Sequence, residues 1–417
     1  MTHLLIWAIA ILTTAGIIVR PFNLPEATWA VGGSVLLVAT QLITPSGAFS
    51  GIKKGGDVYL FLTGMMLLAE IAREEKLFDW LAAHAIRHAK GSSSKLFLSV
   101  YVVGTLVTVF LSNDATAVVL TPAVAIAVMS AKVNSPLPYL YICAFIANAA
   151  SFVLPISNPA NLVVYGAMMP PLLQWLSTFL LPSFFAVIAT YLVLRWRLRK
   201  EIHQQIAATV VVPILSKGGK TAGIGIMVTG VVLLGASGLS LSLGLPTAIA
   251  GVLTVAIVLI GVRKNPGIVL RRISWSILPL VAGLFIIVEA INKTGLINTI
   301  STLMRDSAAR SPIRTAWVSG GITALGSNLI NNLPAGLMAG HVVQQAGVSS
   351  LIVHFILVGV DIGPNLSVTG SLATLLWLVA LRREGIKVSP LTFLKIGCVV
   401  MIPALLAAFG ALLLTTS

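Results

Sequence analysis

The sequence predicts an all-α membrane protein with two inverted halves. Of its 417 residues, 57% are hydrophobic and only 9% are charged, whereas about 25% of the residues in a soluble globular domain are charged. The mean hydropathy is +0.99. So few charged side chains cannot cover a water-facing surface, and several segments approach or exceed the roughly 20 apolar residues that a spanning helix needs. The clearest of these segments are 4–19, 27–45, 221–242, 246–262, 274–292 and 396–414.

The opening segment, the two cysteines and the net charge each limit what kind of membrane protein this is. The opening stretch, MTHLLIWAIAILTTAGIIVR, lacks a basic segment and a small-residue cleavage site, so we expect a first span and not a cleavable signal peptide. Cys143 and Cys398 lie in apolar stretches and have no metal-ligand spacing. We therefore expect no metal site and no cofactor. The net charge of +15 comes from basic residues at span ends, so nucleic acid is not an expected partner.

The second half of the sequence repeats the first. The string GMMLLAEIAREEKLFDWL aligns with GLFIIVEAINKTGLINTI at an offset of 219 residues, which maps Glu70 onto Glu289. Upstream, NLPEATWAVGGSVLL aligns with GLPTAIAGVLTVAIV at an offset of 221. Downstream the offset is 213, which maps Asn148 onto Asp361. Internal repeats of this kind are typical of transporter folds.

This repeat divides the chain into two domains. We predict a first repeat over 1–198, a cytoplasmic linker over 199–220 and a second repeat over 221–417. Each repeat contains three spans, an amphipathic surface helix, a hairpin, a broken span and a last span. The predicted hairpins cover about 96–131 and 312–346, and the predicted broken spans cover about 137–168 and 350–381.

The distribution of basic residues predicts the topology. A hairpin that enters and leaves on one side crosses nothing, so each repeat crosses five times and the two repeats are inverted. Of the 27 Lys and Arg residues, 21 fall on the side reached after the first span. Cytoplasmic loops are enriched in these residues. We therefore expect ten crossings and two re-entrant hairpins in a bacterial or archaeal inner membrane, with both termini outside the cytoplasm.

Polar residues lie at the breaks in these helices. The first hairpin tip carries Ser112, Asn113 and Asp114, and the second carries Asn331 and Asn332. Unwound backbone at membrane depth is tolerated only where it is buried in protein or lines a water-filled cavity, and half-helix ends there can bind a ligand. Such uncharged groups suit a small, neutral, hydroxylated solute or a weakly held ion. For any single Asn or Ser, local capping of a broken helix is the alternative role.

Asp114 and Asp361 are the acidic residues nearest the breaks. Burial disfavours the charged form of a carboxyl group, so a buried acid can exchange a proton near neutral pH. We predict proton coupling at these two residues, with Asp114 first. The alternative is a carboxylate held as an anion by helix N-terminal amides.

Four sequence segments resemble the ArsB-type arsenite and antimonite efflux carriers of the ion transporter superfamily. They are LSNDATAVVLTPAV, ISNPANLVVYG, NNLPAGLMAG and VDIGPNLSVTGSLATLLWL, and TGSLATLLWL at 369–378 is the most specific. The resemblance covers nearly the whole chain. It implies an inverted-repeat ion transporter fold and export of trivalent arsenite or antimonite by proton antiport, with an elevator-like motion. It also implies a soluble ATPase partner in some members and a homodimer.

The resemblance also assigns residues to substrate binding. By position these are Ser112, Asn113, Asp114, Ser157, Asn158, Asn161, Asn331, Asn332, Thr369, Ser371 and Thr374. Members of the family carry an acid where this chain has Asn148 and a Lys where it has Asn365, which shifts the expected coupling to Asp114 and Asp361. Dicarboxylate carriers place Ser-Asn-Thr in both halves, but the second copy here continues Asn-Asn-Leu.

Other functions remain open at this point. A sodium/proton antiporter, or an anion carrier of the same superfamily, is the alternative, although an antiporter calls for more carboxylates at the breaks. No HExxH, Ser/His or paired-Asp motif occurs in a span, so we expect a secondary transporter and not an enzyme. The isolated cysteines predict that hydrogen bonds, not thiolates, hold the metalloid hydroxide. For Glu70 and Glu289 we expect helix-end ion pairs with Arg73 and Lys293.

Overall fold

The computed structural model describes residues 2–166, 169–202 and 213–416. Part of the predicted linker (203–212) and the end of the first predicted broken span (167–168) lie outside these residues. Across the described ranges the regular elements are helices. They are α1 (Thr2–Val19), α2 (Glu26–Ala39), α3 (Pro45–Lys54), α4 (Gly56–Glu74), α5 (Leu77–Ala89), α6 (Ser93–Phe110), α7 (Asn113–Ser130), α8 (Leu137–Ala149), α9 (Pro159–Tyr165), α10 (Leu172–Arg197), α11 (Lys217–Gly238), α12 (Gly244–Val262), α13 (Pro266–Arg272), α14 (Ile277–Asn292), α15 (Leu296–Arg310), α16 (Pro312–Ile330), α17 (Asn332–Ala346), α18 (Ser350–Ile362), α19 (Leu372–Arg383) and α20 (Pro390–Thr415).

Many of these helices are long and apolar enough to cross a membrane. In the described part of the chain the number is eight, or up to nine if α3 and α4, which meet at a 51° bend, form one span. The count includes both α6 and α7, because each covers 18 residues. The prediction of an all-helical membrane protein with several spans is therefore confirmed. The predicted span over 27–45 is shorter than expected, because α2 ends at Ala39 and Thr44 caps the start of α3.

The predicted repeat would pair helices α1–α10 with α11–α20 in order along the chain. Helix α4 packs on α12, and the matching helix α14 packs on α2. Likewise α9 packs on α17 and α19 packs on α7, while α10 and α20 pack on each other. Each of these helices thus lies against a partner from the other half.

Glycine contacts between these helices occur at matching positions of the two halves. A Cβ atom on Gly64 of α4 would lie 2.2 Å from the backbone oxygen of Thr247, and one on Gly251 of α12 would lie 2.6 Å from the oxygen of Gly64. In the matching pair of helices, a Cβ atom on Gly283 would lie 2.8 Å from the backbone of Ala30. The sequence offsets pair Gly64 with Gly283 and Ala30 with Gly251. The same tight contact therefore occurs twice, with the roles of the halves exchanged.

The two repeat-related glutamates form different ion pairs. Glu70 binds Arg73 of the same helix through contacts of 2.5 and 2.9 Å. Glu289 instead binds Lys54, whose Nζ lies 2.7 Å from its Oε2. The predicted partner, Lys293, was wrong because α3 packs against α14 and brings a lysine from the other half to Glu289.

Candidate functional site

The first hairpin tip is the turn between α6 and α7. The Ser112 hydroxyl accepts a hydrogen bond from the amide of Ala115 at 3.3 Å, which caps α7. The side-chain Oδ1 of Asn113 accepts a hydrogen bond from the backbone amide of Asp114 at 2.9 Å. A π-helical turn at Thr116–Leu120 follows directly, and such turns are frequent at functional sites. These contacts fix the tip and leave the Asp114 carboxyl group at its end.

The second hairpin tip is the turn between α16 and α17. Asn331 has a positive φ of 74°, which is uncommon for a residue with a side chain. Its Oδ1 accepts from the amide of Leu333, and its Nδ2 donates to the carbonyl of Thr369. The amide of Asn332 donates to the carbonyl of Gly370 at 2.8 Å. The tip is therefore held by the unwound segment between α18 and α19.

The two tips meet in a small cavity of about 20 Å³. Its polar lining consists of Asn113 and Asp114 from the first tip, Asn158 from the first broken span and Asn332 from the second tip. Its apolar lining consists of Leu62, Pro159, Ile277, Val281, Leu333 and Leu372. A space of this size holds about one water molecule. Four predicted site residues from both halves are thus brought together, in a space that must widen to admit a larger solute.

A second cavity, of about 310 Å³, also contacts Asp114 and Ser112. It lies at the C-terminal end of α4 and is lined there by Glu70 and Arg73, with further charged groups from Arg272, Arg383 and Glu384. Asp114 therefore borders both cavities. It is the predicted acid that a solute or a proton would meet on the way from the larger cavity to the smaller one.

A third cavity, of about 750 Å³, lies at the N-terminal end of α4. Its polar lining includes Lys54, Asp57, His341 and Gln344. None of the predicted site residues is part of its lining. The site is therefore in contact with the cavity at one end of α4 and separated from the cavity at the other end.

Several predicted site residues hydrogen bond within the protein. The Ser157 hydroxyl donates to the carbonyl of Val109 at 2.9 Å, which joins the first broken span to α6. The Thr369 hydroxyl donates to the carbonyl of Asn328 at 2.9 Å. Ser371 caps α19 by accepting from the amide of Thr374 at 3.0 Å. In this conformation these residues position the unwound segments around the small cavity.

The two broken spans contact each other through buried side chains. Asn158 donates from Nδ2 to Oδ1 of Asp361, and its own Oδ1 accepts from the amide of Ala160. Asn148 donates to Oδ1 of Asn365 at 3.0 Å and to the Thr374 hydroxyl at 3.3 Å. Asp361 is completely buried behind the small cavity, whereas Asp114 is half-buried.

Sequence reasoning did not assign a site role to Asn148, Ser151, Asn328 or Asn365. The repeat alignment of Asn148 with Asp361, and the acid and Lys that family members carry at the positions of Asn148 and Asn365, were the available signals for these two residues. The contacts of the others depend on which broken span faces which, and a single sequence does not specify that.

Comparisons with known proteins agree with this architecture. The family model described as CitMHS, citrate transporter, matches residues 5–358. The arsenical pump membrane protein of Escherichia coli strain K12 is 28% identical, with 99% of each chain covered. The protein of the same description from Yersinia enterocolitica is also 28% identical, over 94% of this chain and 96% of the relative.

Two solved structures share the fold. The YdaH transporter of Alcanivorax borkumensis has a TM-score of 0.58 at 16% identity, and the match covers 100% of this chain and 98% of YdaH. The antimetabolite efflux pump MtrF of Neisseria gonorrhoeae has a TM-score of 0.54 at 12% identity, with 99% and 94% covered. Since the family model matches most of the sequence, the chain belongs to the CitMHS family and is a membrane transporter, not an enzyme.

Proposed function

We propose that this transporter exports trivalent arsenite or antimonite, as the neutral trihydroxide, in exchange for protons. The observation that carries the proposal is the small cavity, which is lined by three side-chain amides and one carboxyl group. Amide and carboxyl groups can hydrogen bond a trihydroxide from several directions. The arsenical pump membrane proteins that resemble this chain along nearly their whole length support the same substrate class.

Citrate is a second candidate because of the family's description. A tricarboxylate needs cationic partners, since buried charges must be paired. The described residues that line the small cavity include no Lys or Arg, and Asp114 would repel an anion there. At the 310 Å³ cavity, Arg73 is paired with Glu70 and Arg272 is paired with Glu74. These features favour the neutral hydroxide over citrate.

Asp114 is the residue that we propose for proton coupling, ahead of Asp361. Asp114 borders the 310 Å³ cavity, from which protons can reach it. Asp361 is fully buried and accepts a hydrogen bond from Asn158, so exchange there requires movement of the broken spans.

We propose an inverted-repeat topology with ten crossings, in which α6–α7 and α16–α17 are re-entrant hairpins. The repeats cover 1–198 and 221–417, joined by a cytoplasmic linker over 199–220. The exchanged packing of matching helices supports a two-fold relation, and the meeting of the hairpin tips supports re-entrant geometry. The charge distribution then assigns both termini to the outside of an inner membrane.

We propose that the transporter works by an elevator-like motion. The 310 Å³ cavity beside Asp114 lies on the side that the charge distribution predicts to be cytoplasmic, so we propose that the described conformation is inward-facing. The wall opposite the tips consists of apolar residues of α4 and α14, including Leu62 and Val281. Sliding of the hairpins along this wall would move the site toward the 750 Å³ cavity. A soluble ATPase subunit and a homodimer remain predictions.

Growth of a bacterial strain without its own arsenic efflux genes tests the proposal. Expression of the chain should raise arsenite or antimonite resistance and lower the retained metalloid. The Asp114→Asn variant, expressed to the same level, should protect less. Resistance no better than with an empty vector, despite protein in the membrane, would reject metalloid export. Citrate accumulation by the same cells would support the second candidate instead.

A further inference from the structure

A groove of about 470 Å³, separate from the proposed transport site, lies between α1, α14 and the second hairpin. Its floor is formed by the buried side chains of Leu284, Ile287 and Val288. Except for Thr14, the described side chains that line it are apolar or aromatic. Such a surface offers few hydrogen bonds to a metalloid hydroxide, whose polar groups would be costly to bury there. The groove therefore calls for an apolar occupant.

The groove opens sideways, toward the bilayer. Its rim carries Ile11, Val19 and Leu329, whose exposed fractions are 61%, 72% and 72%. Helix α1 is long and apolar enough to span a membrane, so these side chains face lipid. From Trp7 to Val19 the groove follows about 18 Å of helix, which is comparable to one leaflet of a hydrocarbon core about 30 Å thick. Its length and chemistry suit one acyl chain.

The corresponding place in the first half is closed by protein. The offset of 219 residues maps Phe110 of α6 onto Leu329 of α16. A Cβ atom on Gly230 of α11, the helix that the proposed repeat pairs with α1, would lie 3.8 Å from the Phe110 ring. Leu329 and α1 instead line opposite sides of an open groove. The space beside the second hairpin is thus filled by a side chain in the first half.

Positive charge lies at one end of the groove. Arg20 follows Val19 directly, and burial together with the charge of Arg382 lowers the pKa of the Arg20 guanidinium from its ordinary value. The two cations are therefore close enough to repel each other. Glu26 contacts Arg20 and neutralises one positive charge, while Arg382 is exposed. The charge distribution predicts that this end is cytoplasmic, where acidic lipids attract basic residues.

We propose that the groove binds the acyl chain of an acidic phospholipid, whose phosphate lies beside Arg20 and Arg382. The open side admits the lipid from the bilayer. Its chain fills the space that Phe110 fills in the first half, and its phosphate offsets the repulsion between the two arginines. The occupied groove needs neither substrate nor proton movement, so this role goes beyond the proposed metalloid export.

Lipid binding can be measured on the purified full-length protein in detergent, without metalloid or a pH gradient. Dioleoylphosphatidylglycerol should raise the melting temperature and the effect should saturate, while dioleoylphosphatidylcholine should have a much smaller effect. Native mass spectrometry should retain one phosphatidylglycerol per chain in preference to phosphatidylcholine. Equal effects of the two lipids on folded protein would overturn the proposal.

A charge variant tests the position of the headgroup. Arg382→Gln should weaken phosphatidylglycerol binding several-fold and remove the preference over phosphatidylcholine. Arg263→Gln removes an exposed arginine at the end of α12 and should behave like the wild type. An unchanged preference in folded Arg382→Gln protein would contradict a phosphate beside this residue.

Cysteine labelling locates the acyl chain. Ile11 lines the groove, whereas its neighbour Leu12 does not, and their exposed fractions are similar at 61% and 68%. In a variant without Cys143 and Cys398, phosphatidylglycerol should slow the reaction of Ile11→Cys with N-ethylmaleimide several-fold and leave Leu12→Cys unchanged. Equal protection of both positions would reject the groove as the site.

A second copy of the chain is the competing occupant. Protection of Ile11→Cys that rises with protein concentration, and does not depend on added lipid, would assign the groove to a contact between two chains and refute lipid binding there. Because metalloid is absent throughout, failure here leaves the export proposal intact, and loss of export leaves lipid binding intact.

Discussion

At the scale of single residues, Asp114 is distinguished by its position. It is the acidic residue that lies on the lining of both the 20 Å³ and the 310 Å³ cavities. Asn113 and Asn332 approach the same space from the two hairpin tips. A substrate in this space would contact both halves of the chain at once.

The amides of Asn113 and Asn332 should contribute directly to substrate affinity. We expect Asn113→Ala and Asn332→Ala each to weaken metalloid binding by about 1–3 kcal/mol, because each leaves a buried partner without its hydrogen bond. Binding to purified protein measures the effect. Asn298→Ala, which alters an exposed amide on α15, serves as the matched control. Wild-type affinity in both tip variants would reject a site between the tips.

The Asp114 carboxyl group should link transport to the proton gradient. In Asp114→Asn we expect exchange of metalloid down its own gradient to continue, while accumulation driven by pH is lost. Proteoliposomes with and without a pH gradient separate the two activities. An unchanged pH dependence in this variant would remove Asp114 from the coupling role.

The sequence identified the polar residues at the breaks but not their partners. Ser-Asn-Asp and Asn-Asn within apolar segments predict breaks, because such groups cannot face lipid. The partner of Asp361 is Asn158, 203 positions away, and the partner of Glu289 is Lys54, 235 positions away. These contacts depend on how the halves pack, which local sequence does not encode.

At the scale of helices, two glycine contacts support the frame on which the site is built. Gly64 allows α4 to approach α12, and Gly283 allows α14 to approach α2. Helices that face lipid associate through such small residues, since close packing replaces the hydrophobic effect there. The wall of the small cavity is carried by α4 and α14.

Enlarging either glycine should destabilise this frame. We expect Gly64→Val and Gly283→Val each to cost about 1–3 kcal/mol through overpacking, because the new Cβ atom would collide with backbone atoms. Gly261→Val in α12 is the control, since a Cβ atom there meets nothing within 4 Å. Thermal unfolding in detergent measures the difference. Equal melting temperatures for the three variants would contradict the proposed role of these contacts.

Helix boundaries followed from the sequence where Pro, Gly or a capping residue occurs near a span end. A clear difference is α2, which ends at Ala39 although the predicted span continues to residue 45. Thr40 bonds back to the carbonyl of Leu36, and Thr44 caps the next helix. Hydropathy alone does not show where a helix ends and a turn begins, so the end of α2 was predicted too late.

At the scale of the whole molecule, the two proposed repeats differ in charge at their hairpin tips. The first hairpin tip has Asp114, whereas the second has only amides. We therefore propose a carrier in which the first half supplies proton coupling and both halves supply substrate binding.

The proposed topology predicts which surfaces are accessible from outside the cell. In a variant without Cys143 and Cys398, we expect His3→Cys to react with a membrane-impermeant maleimide in intact cells. Lys217→Cys, within the predicted linker over 199–220, should react only after the membrane is opened. Labelling of Lys217→Cys in intact cells would reverse or reject the topology.

Transport by the chain alone is the most direct test of proton-driven metalloid export. Inside-out vesicles that contain the wild-type protein, under an imposed pH gradient with the lumen acidic, should accumulate arsenite or antimonite and lose it when the gradient is collapsed. Vesicles from cells without the protein are the control. Absence of gradient-dependent uptake of either metalloid, with the protein present in the vesicles, would contradict the central claim.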